Sequence, residues 1–285
     1  MVIDFRSRPP YKSFATNTAL FPRKVDEDFE SPELVPALNM NSGEMESARK
    51  CDMELYFQEM EKAGIDLAVI HGRQTPTEGY VPNDEIAELV AKYPNKLLGF
   101  AGIDLSDIPA AVREIERTAK EFGFKGVSIE PGYFGLYTDD ECLTPIYDKC
   151  QELGLIVSLT DSIFVGPDMS YAHPVHIQRI ANRYPDVIFT VDHGCWPFVQ
   201  EALGMALICP NVYLFPDFYC YIPNMPFADE YMKAANYFLK YRMLFATGYP
   251  IRSMIQSMEQ FRALPFREDV LEQLLSENAK RILKL

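Results

Sequence analysis

A chain of 285 residues, 48% of them hydrophobic, is long for one ordinary domain and able to bury a large core. Its formal net charge of −14 and pI near 4.8 argue against nucleic acid and anionic membrane surfaces as partners. Six cysteines (51, 142, 150, 195, 209 and 220) form no C-x-x-C pair, no apolar run is long enough for a membrane span, and the N-terminus lacks a signal-peptide pattern, so reduced thiols and a cytoplasmic location are expected.

Met1–Phe5 reads as a short apolar strand running into Arg6-Ser7-Arg8-Pro9-Pro10, and strand alternation puts Arg6 and Arg8 on one face. Residues 11–49 show no sustained periodicity and are read as a lid or insertion loop. Met53–Ala63 has helical spacing with Gly64 as its C-terminal cap, and strand Asp66–Ile70 then ends at His71-Gly72-Arg73. Helix Asn83–Tyr93, strand Lys96–Ile103 and helix Ala110–Phe122 follow. Strand Lys125–Ile129 ends in Glu130-Pro131-Gly132, helix Pro145–Leu153 comes next, and strand Leu155–Thr160 ends in Asp161-Ser162. After helix Val175–Tyr184, the buried run Val187–Val191 stops at Asp192-His193-Gly194, and a helix pattern begins at Pro197. Strand Asn211–Phe215 ends in Pro216-Asp217, residues 227–240 are helical, and strand Met243–Thr247 ends in Gly248-Tyr249-Pro250. Helical stretches near 251–262 and 268–284 close the chain.

Eight strand–helix units with short connections argue for a parallel sheet closed into a single (β/α)8 barrel of the TIM type over 1–285, with 263–285 as a C-terminal helical cap. A doubly wound open sheet is the alternative. It needs an edge strand, and none of these strands carries the charge or proline that marks one.

In such a barrel, the residues just after each strand line one mouth, and that mouth holds the chemistry. Collecting them gives Arg6, Arg8, Arg73, Glu130, Asp161, His193, Asp217 and Tyr249, with Trp196 directly behind the His193 turn. His193, Asp217 and Glu130 are the candidate catalytic residues, because an imidazole and carboxylates suit proton transfer at neutral pH. Arg6, Arg8, Arg73, Asp161, Trp196 and Tyr249 are the candidate substrate-binding residues, since paired arginines form a fork for a carboxylate or phosphate. Each also has a structural reading: the arginines can simply brace Glu130, Asp161 or Asp217, and Trp196 can be a wall. No serine–histidine pair, no recognisable cysteine nucleophile and no Gly-rich phosphate loop is present.

The order of these pieces resembles the amidohydrolase-related family of TIM barrels, which includes aminocarboxymuconate-semialdehyde decarboxylase and pyrone-dicarboxylate lactonase. Val2-Ile-Asp4, Asn83-Asp84, Tyr93-Pro94, Gly126-Val127, Pro145-Ile-Tyr147, Tyr184-Pro-Asp186, Asn211-Val-Tyr213, Tyr249-Pro250 and Asn278-Ala279 carry the resemblance across nearly the whole chain. The family's first-strand His-x-His metal motif reads Arg6-Ser7-Arg8 here, the histidine after the fifth strand is replaced around Thr160-Asp161, and the aspartate after the eighth falls at Gly248. Only the histidine after the sixth strand matches, as His193. An arginine cannot become a metal ligand, so the expectation is a site without metal or other cofactor. The alternative is zinc or manganese on relocated ligands Glu130, His193 and Asp217.

The resemblance and the arginines together imply a hydrolase or lyase acting on a small carboxylated metabolite, by lactone hydrolysis, hydration or decarboxylation. Replacing Arg6 or Arg8 by Met is expected to abolish turnover or raise KM with little change in stability. The rival readings are a metal-dependent hydrolase or decarboxylase and a non-catalytic ligand-binding barrel. Exposed apolar loop residues such as Phe218, Tyr219 and Tyr221 suggest a homo-oligomer, with a dimer favoured.

Overall fold

Short apolar runs alternate with amphipathic ones along the sequence, and the chain folds them as strands and helices in turn. The computed structural model describes residues 1–17 and 45–285. The expected lid over 11–49 therefore lies mostly outside the described residues, with only its flanking helices Ser13–Thr16 and Glu46–Lys50 in view.

The strands in chain order are β1 (Ile3–Ser7), β2 (Leu67–His71), β3 (Gln74–Thr75), β4 (Gly79–Tyr80), β5 (Leu97–Gly102), β6 (Gly126–Ile129), β7 (Ile156–Thr160), β8 (Phe189–Asp192) and β9 (Val212–Phe215). β3 and β4 form a small antiparallel hairpin. The other seven make one parallel sheet in the order β1-β2-β5-β6-β7-β8-β9, so each strand lies beside its predecessor. A helix of the connecting layer shows how the sequence sets its limits. In Met53–Ala63, the Asp52 carboxylate accepts from the backbone N–H of Glu54 and Leu55 at the start, and Gly64 turns left-handed at φ 69° to end it.

The eighth position is filled by residues 243–247, read from sequence as a strand. They join the sheet through single bridges, Leu214 to Met243 on one side and Ser7 to Tyr249 on the other. Leu244 N–H donates to Leu214 O, Phe5 N–H donates to Phe245 O, and the Asp4 carboxylate takes both the N–H and the hydroxyl of Thr247 (2.9 and 2.6 Å). Phe245 N–H, however, goes to Leu274 O in a π-helical turn, Gln273–Glu277, of the last helix. That diversion interrupts a regular ladder while still linking β9 to β1, and the fold is the expected TIM-type barrel. The 227–240 helix is shorter than its pattern, Ala228–Ala235, because Leu239 N–H turns back onto Ala234 O.

β1 carries a register shift. Asp4 pairs with Ala68, but Ser7 pairs with Ile70, which leaves one extra residue in β1. Phe5 consequently points into the barrel, edge-on to Phe100 and beside Phe215, and the next residue, Arg6, also reaches inward. Below the mouth the barrel is filled by a cluster including Phe5, Val69, Phe100, Phe215 and Ala246, with Ala279, Ile282 and Leu283 of the C-terminal helix packed into it. Among the described residues, no helix is long and apolar enough to cross a membrane.

Candidate active site

The turn after β8 is built from unusual backbone. His193, Gly194 and Cys195 have φ of 59°, 57° and 59°, and Asp217 after β9 has φ 44°. Side chains other than glycine seldom adopt this left-handed region, and such residues cluster at functional sites. Gly194 is obligatory by a second criterion: a Cβ there would lie 2.9 Å from the Tyr231 ring and 3.1 Å from Pro216. The effect is to turn the His193 imidazole back over the barrel axis toward β1.

There it meets Arg6. The Arg6 guanidinium places Nη1 2.8 Å from His193 Nε2 and 3.4 Å from Asp217 Oδ2, and Nε 3.0 Å from Asp192 Oδ2. Arginine keeps its proton, so Nε2 must be the acceptor and the imidazole proton sits on Nδ1. Nδ1 lies 2.8 Å from Asp217 Oδ2, although off the line of a good hydrogen bond. Burial, with Arg6 beside it, holds the imidazole well below its ordinary pKa, and it is neutral at pH 7. Burial pushes Asp217 the other way, well above the ordinary carboxylate range, against the pull of Arg6. Besides Arg6, Asp192 is fixed by two further donors, the Ser158 and Thr160 hydroxyls at 2.8 Å each.

A second cluster adjoins the first. Arg8 Nε donates to His71 O at 3.2 Å, and Nη2 lies 3.3 Å from Glu130 Oε1. Arg73 Nη2 donates to the same oxygen at 2.9 Å. Burial works to raise Glu130, but Arg73 and Arg8 outweigh it and keep the group ionised below the usual range. Burial, then Arg73 and Arg6, push Arg8 downward: it is a cation with too little negative charge around it. His71 is fully buried and stacked on Phe100, with Nδ1 4.0 Å from Asp192 Oδ2.

The structure thus gathers Arg6, His193 and Asp217 into one cluster and Arg8, Arg73 and Glu130 into its neighbour. The other candidates stand apart. Asp161, the residue after β7, is buried, and its carboxylate accepts from the Thr138 hydroxyl at 3.2 Å. Tyr249 directs its hydroxyl to Ser47 at 2.8 Å. Trp196 stacks on Tyr219 (centroids 5.1 Å apart) and donates Nε1–H to Pro226 O. Phe218 and Tyr219, read from sequence as exposed, are 3% and 2% exposed and wall His193 at centroid distances of 5.6 Å. With Tyr221 also buried, that route to a dimer surface is withdrawn. The sequence reading also passed over Asp192 as a partner for Arg6, although its place beside His193 at the strand end was the available signal. A cavity of about 700 Å³ lies between the 220–230 turn and helix Met254–Ala263, and no side chain of either cluster lines it.

The family described as Amidohydrolase matches residues 44–285. The chain belongs to that family. A TIM-barrel protein from Bordetella bronchiseptica, described as uncharacterized, is 33% identical with a TM-score of 0.88, covering 99% of this chain and 98% of that one. The 2-amino-3-carboxymuconate-6-semialdehyde decarboxylase of Dictyostelium discoideum is 30% identical over 86 residues, 30% of this chain and 24% of that protein. The chain thus matches about a quarter of that curated relative's length. A dihydroxybenzoic acid decarboxylase from Polaromonas sp. JS666, solved with bound manganese and the inhibitor 2-nitroresorcinol, has a TM-score of 0.69 at 19% identity, covering 100% of this chain and 97% of that one.

That manganese overturns the expectation of a site without a cofactor, since a decarboxylase of the same fold carries a divalent ion. The side chains as arranged here do not fit one at His193. Its Nε2 faces a guanidinium at 2.8 Å, and among the described residues no group of three or more His, Cys, Asp or Glu is placed to hold a metal ion. Of the reactions weighed from sequence, decarboxylation is the one that the named enzyme relatives perform.

Proposed function

We propose that this chain is a lyase that decarboxylates a small, carboxylate-bearing aromatic substrate. The observation that carries the reading is Arg8: a buried guanidinium that shares a single carboxylate oxygen with Arg73 and is therefore short of negative charge. A substrate carboxylate supplies what it lacks. The named decarboxylases among the relatives support the reaction, and the aromatic residues against His193, Phe218 and Tyr219, suit a flat ring.

Decarboxylation replaces a carbon–carbon bond by a carbon–hydrogen bond, so a proton must reach the carbon that loses CO2. Asp217 is the group suited to carry it, because burial favours its protonated form, and the Nδ1–H of His193, 2.8 Å from Asp217 Oδ2, faces the carboxylate left once that proton has gone to carbon. Arg6 fixes the tautomer by donating to Nε2. Glu130, held ionised by two arginines, is a positioning carboxylate in this reading, not a proton carrier. No step is assigned to a metal ion.

Binding of benzoate, followed by calorimetry, tests the anchor. Arg8→Met is expected to weaken it by roughly tenfold or more, the scale of one lost charge-assisted contact. Unchanged affinity overturns the assignment.

A further inference from the structure

Arg73 is held on one side by a partner that cannot move and on the other by one that can. Glu130, 2% exposed, grips Nη2 at 2.9 Å from inside the barrel. Glu78, on the turn between β3 and β4, approaches Nη1 only to 3.5 Å, and its side chain is 30% exposed. Arg73 Nε is buried with no partner among the described residues. A guanidinium this deep, 7% exposed, ordinarily has its donors satisfied.

The backbone around it is fixed. Val81 N–H donates to Arg73 O at 2.8 Å, and a Cβ on Gly102 would lie 2.5 Å from Arg73 N, so strand β5 is packed directly against this residue. The Glu78 backbone is also pinned: its N–H donates to Thr75 Oγ1 at 3.1 Å, and its carbonyl accepts from Asn17 Nδ2 at 2.6 Å. Among the described residues around Arg73, the partly exposed Glu78 carboxylate is the loosest contact.

We infer that Arg73 is a second anion subsite, that the Glu78 carboxylate stands in for a substrate anion there and is displaced on binding, and that the substrate carries two anionic groups. This rests on the proposal that Arg8 anchors a substrate carboxylate, and it adds the charge class of the ligand. One anionic group lies against Arg8, and the second takes the loosely held and unpartnered donors of Arg73. A free site keeps Glu78 in place, so a monoanion gains nothing from Arg73 while a dianion exchanges one carboxylate for another.

Calorimetric titration with benzoate and isophthalate, one carboxylate against two on the same ring, tests this on the full chain and on Glu78→Gln, Arg73→Met and Arg8→Met. Isophthalate is expected to bind the parent more tightly than benzoate. Glu78→Gln, a change at a partly exposed side chain, should raise isophthalate affinity by roughly threefold to tenfold and leave benzoate within about twofold, the scale of one released ion pair. Arg73→Met should erase the preference for isophthalate. Equal affinities in the parent, or a gain in Glu78→Gln shared equally by both ligands, overturn the subsite. Benzoate binding that ignores Arg8→Met instead overturns the underlying anchor, so the two failures are distinguishable.

Discussion

Arg6 serves three acceptors at once: Asp192, Asp217 and His193 Nε2. Removing it would leave two buried carboxylates and an imidazole without their common donor. Breaking a buried pair costs about 3–5 kcal/mol. The expectation that Arg6 and Arg8 are equivalent, each replaceable without loss of stability, therefore holds better for Arg8, whose partner Glu130 keeps Arg73. The same contact governs manganese. The guanidinium stands against Nε2 in this arrangement, so Arg6→Ala should retain more manganese than the parent after dialysis and elemental analysis. If the parent retains as much as the variant, Arg6 is not what stands between His193 and a cation.

At the scale of elements, the short turn that follows Gly135 packs against β7 through Thr138 and Asp161. Burial pushes Asp161 from 3.8 up to about 7, with Thr138 opposing and the nearby Asp192 and Asp139 adding to the rise. The folded chain therefore holds this proton more tightly than the unfolded chain. Stability from it is fully present below pH 3.8 and is lost progressively as pH rises to about 7. Asp161→Asn does not titrate, so its stability relative to the parent should improve from pH 5 to pH 8 in urea melts. A difference that stays flat across that range contradicts the placement.

Much of this architecture was legible in the sequence. Alternation of apolar runs with helical spacing, each run closed by Gly, Pro or a polar pair, located the barrel strands because buried parallel strands read as unbroken β-branched stretches. Strand-end positions then named both arginine clusters and His193. Three features were hidden for physical reasons. The extra residue in β1, which lets Phe5 and Arg6 both face inward, leaves no mark in a five-residue strand. The partner of Asp161 is Thr138, a contact between two loops that strand periodicity does not set. Phe218 and Tyr219 read as exposed because turn residues usually are, whereas here His193 and Trp196 cover them.

For the whole molecule, the barrel's contribution is to bring β1, β8 and β9 around so that residues 6, 193 and 217 meet, though more than two hundred positions of chain separate the first from the last. The measurement that tests the account most directly is release of labelled CO2 from carboxyl-13C hydroxybenzoates and isophthalates, supplied with manganese, by the parent, Asp217→Asn and Arg8→Met. The parent should release label, Asp217→Asn should be slower by about 100-fold or more at saturation, and Arg8→Met should be impaired chiefly through KM. Label released by both variants at the parent's rate and KM would contradict the account.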